Sequence, residues 1–251
     1  MISSIFWRTT LVLIAALGFS VTAQADKVVI FGATGTIGQA VVREALDRGH
    51  EVIGVSRNPD NFSYTESNFT GVAGNPTLLQ SVLEITEGAD AVISAVGGRE
   101  APTPEETAMN QTAVVFSQAY AGLGEGGPQV VVVGGGLTSH GSLEAVIENL
   151  PPNATEGSPF RALFLGHWYA YQEYLASDIN WTFVAPPLGI IGFGNTAGED
   201  IRKGTYRTST EGFAYDSNGD NIISKSDLAV AILDFAETDD FNQQWVGLAR
   251  Q

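Results

Sequence analysis

Gly32, Gly35 and Gly38 fall three residues apart, directly behind the apolar run Val28-Val29-Ile30-Phe31. Glycines in that rhythm permit a tight turn, the approach of backbone N–H groups to a pyrophosphate, and close seating of a following helix on the strand. An amphipathic helix is expected from Thr36 to Asp47, with Ile37, Ala40, Val41, Ala45 and Leu46 on one face. Its positive N-terminal end would point at the phosphates. A second strand begins at Glu51, at the distance a nucleotide-binding βαβ unit requires. At its end, where an NAD-preferring fold carries Asp or Glu for the ribose hydroxyls, the sequence reads Val55-Ser56-Arg57-Asn58, with no carboxylate before Asp60. Arg57 can pair with a 2′-phosphate, assisted by the Ser56 hydroxyl, so the residues favour NADP over NAD. The alternative is an Arg57 that only solvates the start of a loop.

Other chemistries are thinly supplied. The chain has no cysteine, which removes disulfides, thiolate nucleophiles and thiolate metal ligands. The three histidines, His50, His140 and His167, lack metal-ligand spacing, and no metal is expected. Asp216-Ser-Asn218-Gly-Asp220-Asn-Ile-Ile-Ser-Lys-Ser-Asp227 resembles a calcium loop, but Asn221 stands where the sharp bend needs glycine. A turn at Ser217 to Asp220, a short strand through Ile222 and Ile223, and a serine cap on a helix beginning near Asp227 is the preferred reading. Acidic residues outnumber basic ones 28 to 12. Such a surface repels nucleic acid and anionic membranes.

The elements that would position these residues start after a leader. Met1 to Ala25 carries one basic residue, Arg8, an apolar run from Leu11 to Phe19, and the small-x-small ending Ala23-Gln24-Ala25. This reads as a secretory signal peptide, residues 1–25, too short in its apolar part for the roughly 30 Å of a bilayer. The mature chain, residues 26–251, would be periplasmic or secreted and without a membrane span; it would be cytoplasmic if translation starts further on. Strand-like runs recur at Val28 to Phe31, Val52 to Val55, Thr70 to Val72, Ala91 to Ala95, Gln129 to Val133 and Trp181 to Val184, with helical stretches between most of them. That alternation implies an α/β fold, a doubly wound parallel sheet of the Rossmann type in a single domain. From Pro186 onward the chain turns rich in Gly, Pro and Thr, and about 186–251 is expected to shape a substrate cleft, with a last helix from Lys225 to Glu237. The sequence assigns no oligomeric state.

The Gly32-Ala-Thr-Gly35-Thr-Ile-Gly38 turn, Ser56-Arg57-Asn58-Pro59, Ala91-Val-Ile-Ser-Ala-Val-Gly97-Gly98, Val131-Val-Val-Gly134-Gly-Gly136, Trp181-Thr-Phe-Val-Ala-Pro186-Pro187 and Ile223-Ser-Lys-Ser-Asp227-Leu-Ala resemble the NmrA-like, atypical short-chain dehydrogenase/reductase group. Within it the chain is similar to a branch of proposed NAD(P)H-flavin reductases. The resemblance implies a pyrophosphate at Thr34, Gly35, Thr36 and Ile37. It puts the adenine ribose phosphate at Arg57, and the nicotinamide near Ala95, Val96 and Gly97, Gly134 to Ser139, and Pro186.

The Tyr-x-x-x-Lys pair that many short-chain dehydrogenases use for proton transfer is missing, for no tyrosine has a lysine four residues on. Ser139, His140, His167 and Tyr169 remain as candidate acid groups. His140 follows the fifth strand, and His167 and Tyr169 lie on the helix that carries the pair in relatives. The expected activity is hydride transfer from NADPH to a small, flat, conjugated acceptor such as a flavin or quinone, which needs no dedicated acid. The alternative is a non-catalytic NAD(P)-binding sensor or scaffold.

Overall fold

A computed structural model describes residues 26–97, 101–194 and 196–251, leaving aside the side chain of His140. The leader read at residues 1–25, and Gly98 of the resemblance motif, lie outside them. The chain runs β1 (Lys27–Phe31), α1 (Thr36–Asp47), β2 (Glu51–Ser56), β3 (Phe69–Ala73), α2 (Leu79–Ile85), β4 (Ala91–Ser94), α3 (Ala108–Tyr120), β5 (Gln129–Val133), α4 (Leu143–Glu148), α5 (Pro159–Leu175), β6 (Trp181–Ala185), β7 (Gly189–Ile191), β8 (Tyr206–Ser209), β9 (Ile222–Ser224), α6 (Lys225–Glu237) and β10 (Gln244–Arg250). The main sheet is ordered β3-β2-β1-β4-β5-β6-β10-β8. All its pairings are parallel except β10 with the edge strand β8. This is the doubly wound Rossmann arrangement. Among the described residues no helix is long and apolar enough to cross a membrane.

Successive side chains along a strand face opposite ways, so each apolar strand supplies two cores. Val28 and Ile30 of β1, Ala91 and Ile93 of β4, Val131 and Val133 of β5, and Val246 and Leu248 of β10 pack on α1 and α6. Val29 and Phe31, Val92, Val130 and Val132, Trp181, Phe183 and Trp245 pack on α2, α3 and α5. At about 1.5–3 kcal/mol for each fully buried large apolar side chain, these two layers hold the strands in register.

The helix beginnings differ in a way that matters for the site. Thr107, Ser142, Ser158 and Ser224 cap α3, α4, α5 and α6 with side-chain oxygens that accept a backbone N–H. α1 starts at Gly35 with no side-chain cap, as does the shorter α2 at Leu78. A serine cap with the short strand β9 before it is the local arrangement expected from the sequence, and of the two candidates, Ser224 and Ser226, the cap is Ser224.

Chain beyond β6 is tied back to the first βαβ unit through charge. Asp227, 1% exposed, accepts the N–H groups of Lys203 and Gly204 at 2.7 and 2.8 Å. Arg202 reaches the carboxylate of Glu44 on α1 at 2.7 Å, and Arg48 meets the same carboxylate at 2.9 Å. Glu44 is 4% exposed. Arg202 foremost, then Arg48, hold its carboxyl below the ordinary glutamate range against the opposing effect of burial. The unfolded chain therefore takes up this proton first, so the stability Glu44 contributes is present above about pH 4.5 and lost as pH falls through the lower folded value. Glu44→Gln should cost about 2 kcal/mol at neutral pH, the worth of a hydrogen bond to a charged group. Its denaturant midpoint should also fall less steeply with acidification than that of the parent chain.

Candidate active site

At the carboxyl end of β1 the backbone comes close to its neighbours. Gly32 has φ of 77°, and a β-carbon there would lie 2.6 Å from the carbonyl oxygen of Ala95. A β-carbon on Gly38 would lie 2.1 Å from the carbonyl oxygen of Gly32, so α1 sits against the turn with nothing between them. The Gly35 N–H closes the turn onto the Gly32 carbonyl at 2.9 Å. Beyond it, the N–H groups of Thr36, Ile37 and Gly38 meet no acceptor among the described residues. Unpaired donors at the positive end of a helix fit an anionic pyrophosphate. Thr34 stands beside the end of β2, its hydroxyl 3.4 Å from that of Ser56.

Ser56 is pinned by its own loop, exchanging hydrogen bonds with the backbone of Asn58 at 3.1 and 3.2 Å. Arg57 between them is exposed and makes no hydrogen bond or ion pair among the described residues. Its guanidinium is therefore available to an anion, a property it shares with Arg161 and Arg207, which also have no carboxylate partner among the described residues. The end of β3 lies alongside, since Ser56 pairs with Ala73 and the Gly74 N–H bonds to the Ser56 carbonyl at 3.0 Å. Asn75, which the sequence reading did not single out, therefore follows in the turn beside Ser56, its side chain folded onto the Thr77 N–H at 3.0 Å. Only its place at the end of a strand of weak apolar pattern signals it.

The second half of the site forms where β4, β5 and β6 end. Ala95, Val96 and Gly97 leave β4 with the Ala95 N–H still bonded to the Phe31 carbonyl at 2.9 Å. Three successive glycines leave β5, and each lies under a ring. A β-carbon on Gly134 would lie 2.0 Å from Phe183, one on Gly135 2.9 Å from His167, and one on Gly136 2.7 Å from Phe213. Gly134 is held to β6 by its N–H on the Val184 carbonyl at 2.7 Å, and Pro186 follows buried, its carbonyl beside Gly136.

The four candidate acid groups are placed differently. His167 on α5 lies against the turn after β5, and burial lowers its pKa to about 4, so the imidazole is neutral at physiological pH. Tyr169, two residues on, stands about 200° around the helix from it, on the far side. Ser139 is half-buried in the turn at 136–140, and the side chain of His140 lies outside the described residues. The hydroxyl drawn into the interior there belongs to Thr138, which takes the indole N–H of Trp245 at 2.7 Å. The sequence singled out neither. Tyr171 and Tyr174 pack on Trp181 and Phe183 as walls of the core. His50 bonds Glu237 at 2.7 Å, which gives it a structural place.

The calcium-like loop is spoken for by other contacts. Asp216 accepts the N–H groups of Asn218 and Asp220 and pairs with Arg250 at 2.6 Å. Asp227, its other end, faces Lys203 and Gly204 instead. Two hollows, one lined by Asp26, Asp90, Glu125 and Glu237 and one by Leu83, Tyr120 and Leu123, open at the opposite end of the sheet from the glycine turn.

The profile of the NAD(P)H-binding family matches residues 32–239 of the chain. Over 229 residues the chain is 28% identical to the uncharacterized protein YwnB of Bacillus subtilis, spanning 84% of this chain and 92% of that protein. Its fold is similar to that of a proposed exported protein from Burkholderia pseudomallei, with a TM-score of 0.69 and 30% identity over 89% of this chain and 99% of the other. A proposed NADH-flavin reductase from Streptococcus pneumoniae matches with a TM-score of 0.70 and 24% identity over 90% of this chain and all of the other, a likeness of fold.

The buried position of His167 has a pH signature. The folded chain holds this imidazole neutral down to about pH 4, whereas the unfolded chain protonates it near 6.5, so this group weakens the fold as pH falls between those values. Proton NMR of the imidazole, assigned by loss of the signal in His167→Gln, should report a midpoint near 4. A midpoint near 6.5 would mean that the ring is open to water.

Proposed function

The chain belongs to the NAD(P)H-binding family, and from that premise we propose that it is an oxidoreductase using NADPH to reduce a flat conjugated acceptor of the flavin or quinone class. The observation that carries the proposal is the bare start of α1, where uncapped N–H groups and the unpartnered Arg57 converge on one edge of an acidic molecule. When bound, the nucleotide supplies a hydride from its nicotinamide ring. The remaining work belongs to the chain. Thr36, Ile37 and Gly38 would hold the pyrophosphate on their N–H groups, and Arg57 with Ser56 the 2′-phosphate. Ala95 to Gly97, the turn after Gly134 and Pro186 would line the nicotinamide. His167, neutral and half-buried, can pass a hydrogen bond to the acceptor without placing a charge beside it. The leader supports export before folding, so a chain beginning at Asp26 would take up its nucleotide after folding.

A second reading, a nucleotide-binding sensor without turnover, draws on the missing Tyr-x-x-x-Lys pair. One experiment separates the two. Purified from Asp26 onward, the chain should bind NADPH in a fluorescence titration and oxidise it with FMN or menadione; tight binding with no oxidation would favour the sensor, and no binding would sink both. Within the same titration, Arg57→Ala should weaken NADPH by about 10- to 100-fold, the loss of a charge-assisted bond of roughly 1.5–3 kcal/mol. NADH should be nearly unaffected. Equal losses for the two nucleotides would remove Arg57 from the 2′-phosphate.

A further inference from the structure

We propose that Trp245 and Thr138 form a positioning pair that fixes the turn after β5 against the acceptor side of the cleft, a step that rests on the reading of the cleft just given. The two residues are 107 positions apart, and they meet through the indole N–H of Trp245 and the Thr138 hydroxyl at 2.7 Å. That hydroxyl has one proton to give, and it goes to the Gly135 carbonyl, also at 2.7 Å. The Thr138 N–H lies on the same carbonyl at 3.2 Å. Thr138 is 2% exposed and Trp245 6%, so water does not compete for these bonds. The run from indole to hydroxyl to carbonyl therefore has one direction and sets the height of Gly135, the residue on which the His167 ring rests.

The strand that carries Trp245 reaches the turn by a second route. A β-carbon on Gly247 of β10 would lie 2.8 Å from the Gly212 carbonyl, so the segment before Phe213 lies flush on β10. The Phe213 ring in turn covers Gly136. β10 thus holds both Gly135 and Gly136, and with them the turn that bears Ser139 and His140. A tryptophan serving the core alone would need its area in the layer over α5, and no particular hydroxyl at 138. Thr138 and Trp245 lie away from the glycine turn and from Arg57, where the phosphates that dominate nucleotide affinity would be held, so their effect should fall on the nicotinamide and acceptor end of the cleft rather than on the NADPH dissociation constant.

Thr138→Val keeps the shape and removes the hydroxyl, Thr138→Ser restores it, and Trp245→Phe removes the donor. With FMN or menadione as acceptor, the Val and Phe variants should lose about tenfold in acceptor kcat/KM. Their NADPH dissociation constants should stay within about twofold of the parent, and the Ser variant should return most of the loss. Amide hydrogen exchange over residues 134–140 should quicken in the Val and Phe variants and recover in Ser. Unchanged kinetics in folded variants, equal weakening of NADPH, or unchanged exchange would each overturn the proposal. Should the parent chain bind no NADPH, the functional reading falls by itself, and exchange over 134–140 still decides whether the pair holds the turn.

Discussion

The approach of α1 to the first turn is the constraint on which the cofactor end of this molecule depends. With the β-carbon position of Gly38 only 2.1 Å from the Gly32 carbonyl, no side chain of any kind fits between helix and strand. α1 is consequently brought down until its first N–H groups stand at the edge of the sheet. Gly32 also meets a backbone oxygen closely, its β-carbon position 2.6 Å from the Ala95 carbonyl, so the ends of β1 and β4 meet backbone to backbone. The alternating apolar residues of the strands provide the force for this, and the glycines provide the room. A cradle made of backbone has no rotamers to freeze when a ligand arrives, and part of the ordering cost of binding is met in folding.

Glycine acts in the opposite sense at the other half of the site. Gly134, Gly135 and Gly136 are bare because Phe183, His167 and Phe213 occupy the space their side chains would fill. Three rings from β6, α5 and the segment before β9 are thereby gathered on three consecutive residues at the end of β5. One of them is an imidazole, and the packing that seats it also lowers its pKa by partly removing it from water. The same glycine-rich composition thus makes a polar anion cradle at β1 and an aromatic seat at β5, according to whether the neighbouring elements bring backbone or rings.

What could be read in the sequence follows from this difference. Where a feature depends on residues near one another in the chain, the reading matched the fold, down to the bounds of α1 at Thr36–Asp47 and α6 at Lys225–Glu237 and a serine cap on α6, with the structure choosing Ser224 over Ser226. β1, β2, β4, β5 and β6 were visible as apolar runs because both of their faces are covered, whereas β3, exposed at three of its five residues, was marked only by Thr70 to Val72. β10 escaped because Gly247 interrupts its apolar run, and β8 because an antiparallel edge strand with exposed Arg207 and Thr208 has no such run. Thr138 could not be told from Ser139 by type, since the choice depends on the register of one short helical turn against an indole 107 residues later. The glycines after β5 were visible, but the rings above them come from three separate places in the chain.

The charges and rings around the acceptor half limit the chemistry that half can serve. Reducing an isolated carbonyl leaves negative charge on one oxygen, which a tyrosine with a cation at its side can neutralise. The lysines here are Lys27, Lys203 and Lys225. Lys27 is engaged by the Glu87 carbonyl at the far end of the sheet, Lys225 lies with Asp200, and the backbone of Lys203 is bound to Asp227. The tyrosines of α5 that pack inward, Tyr171 and Tyr174, have their pKa values raised by burial, the reverse of what a proton donor to an alkoxide needs. His167 is held neutral by partial burial. Among the described residues no lysine stands beside these tyrosines to take up a concentrated charge, which agrees with the proposed reading of an acceptor that would spread the incoming electron pair over its own conjugated ring and take its proton from solvent.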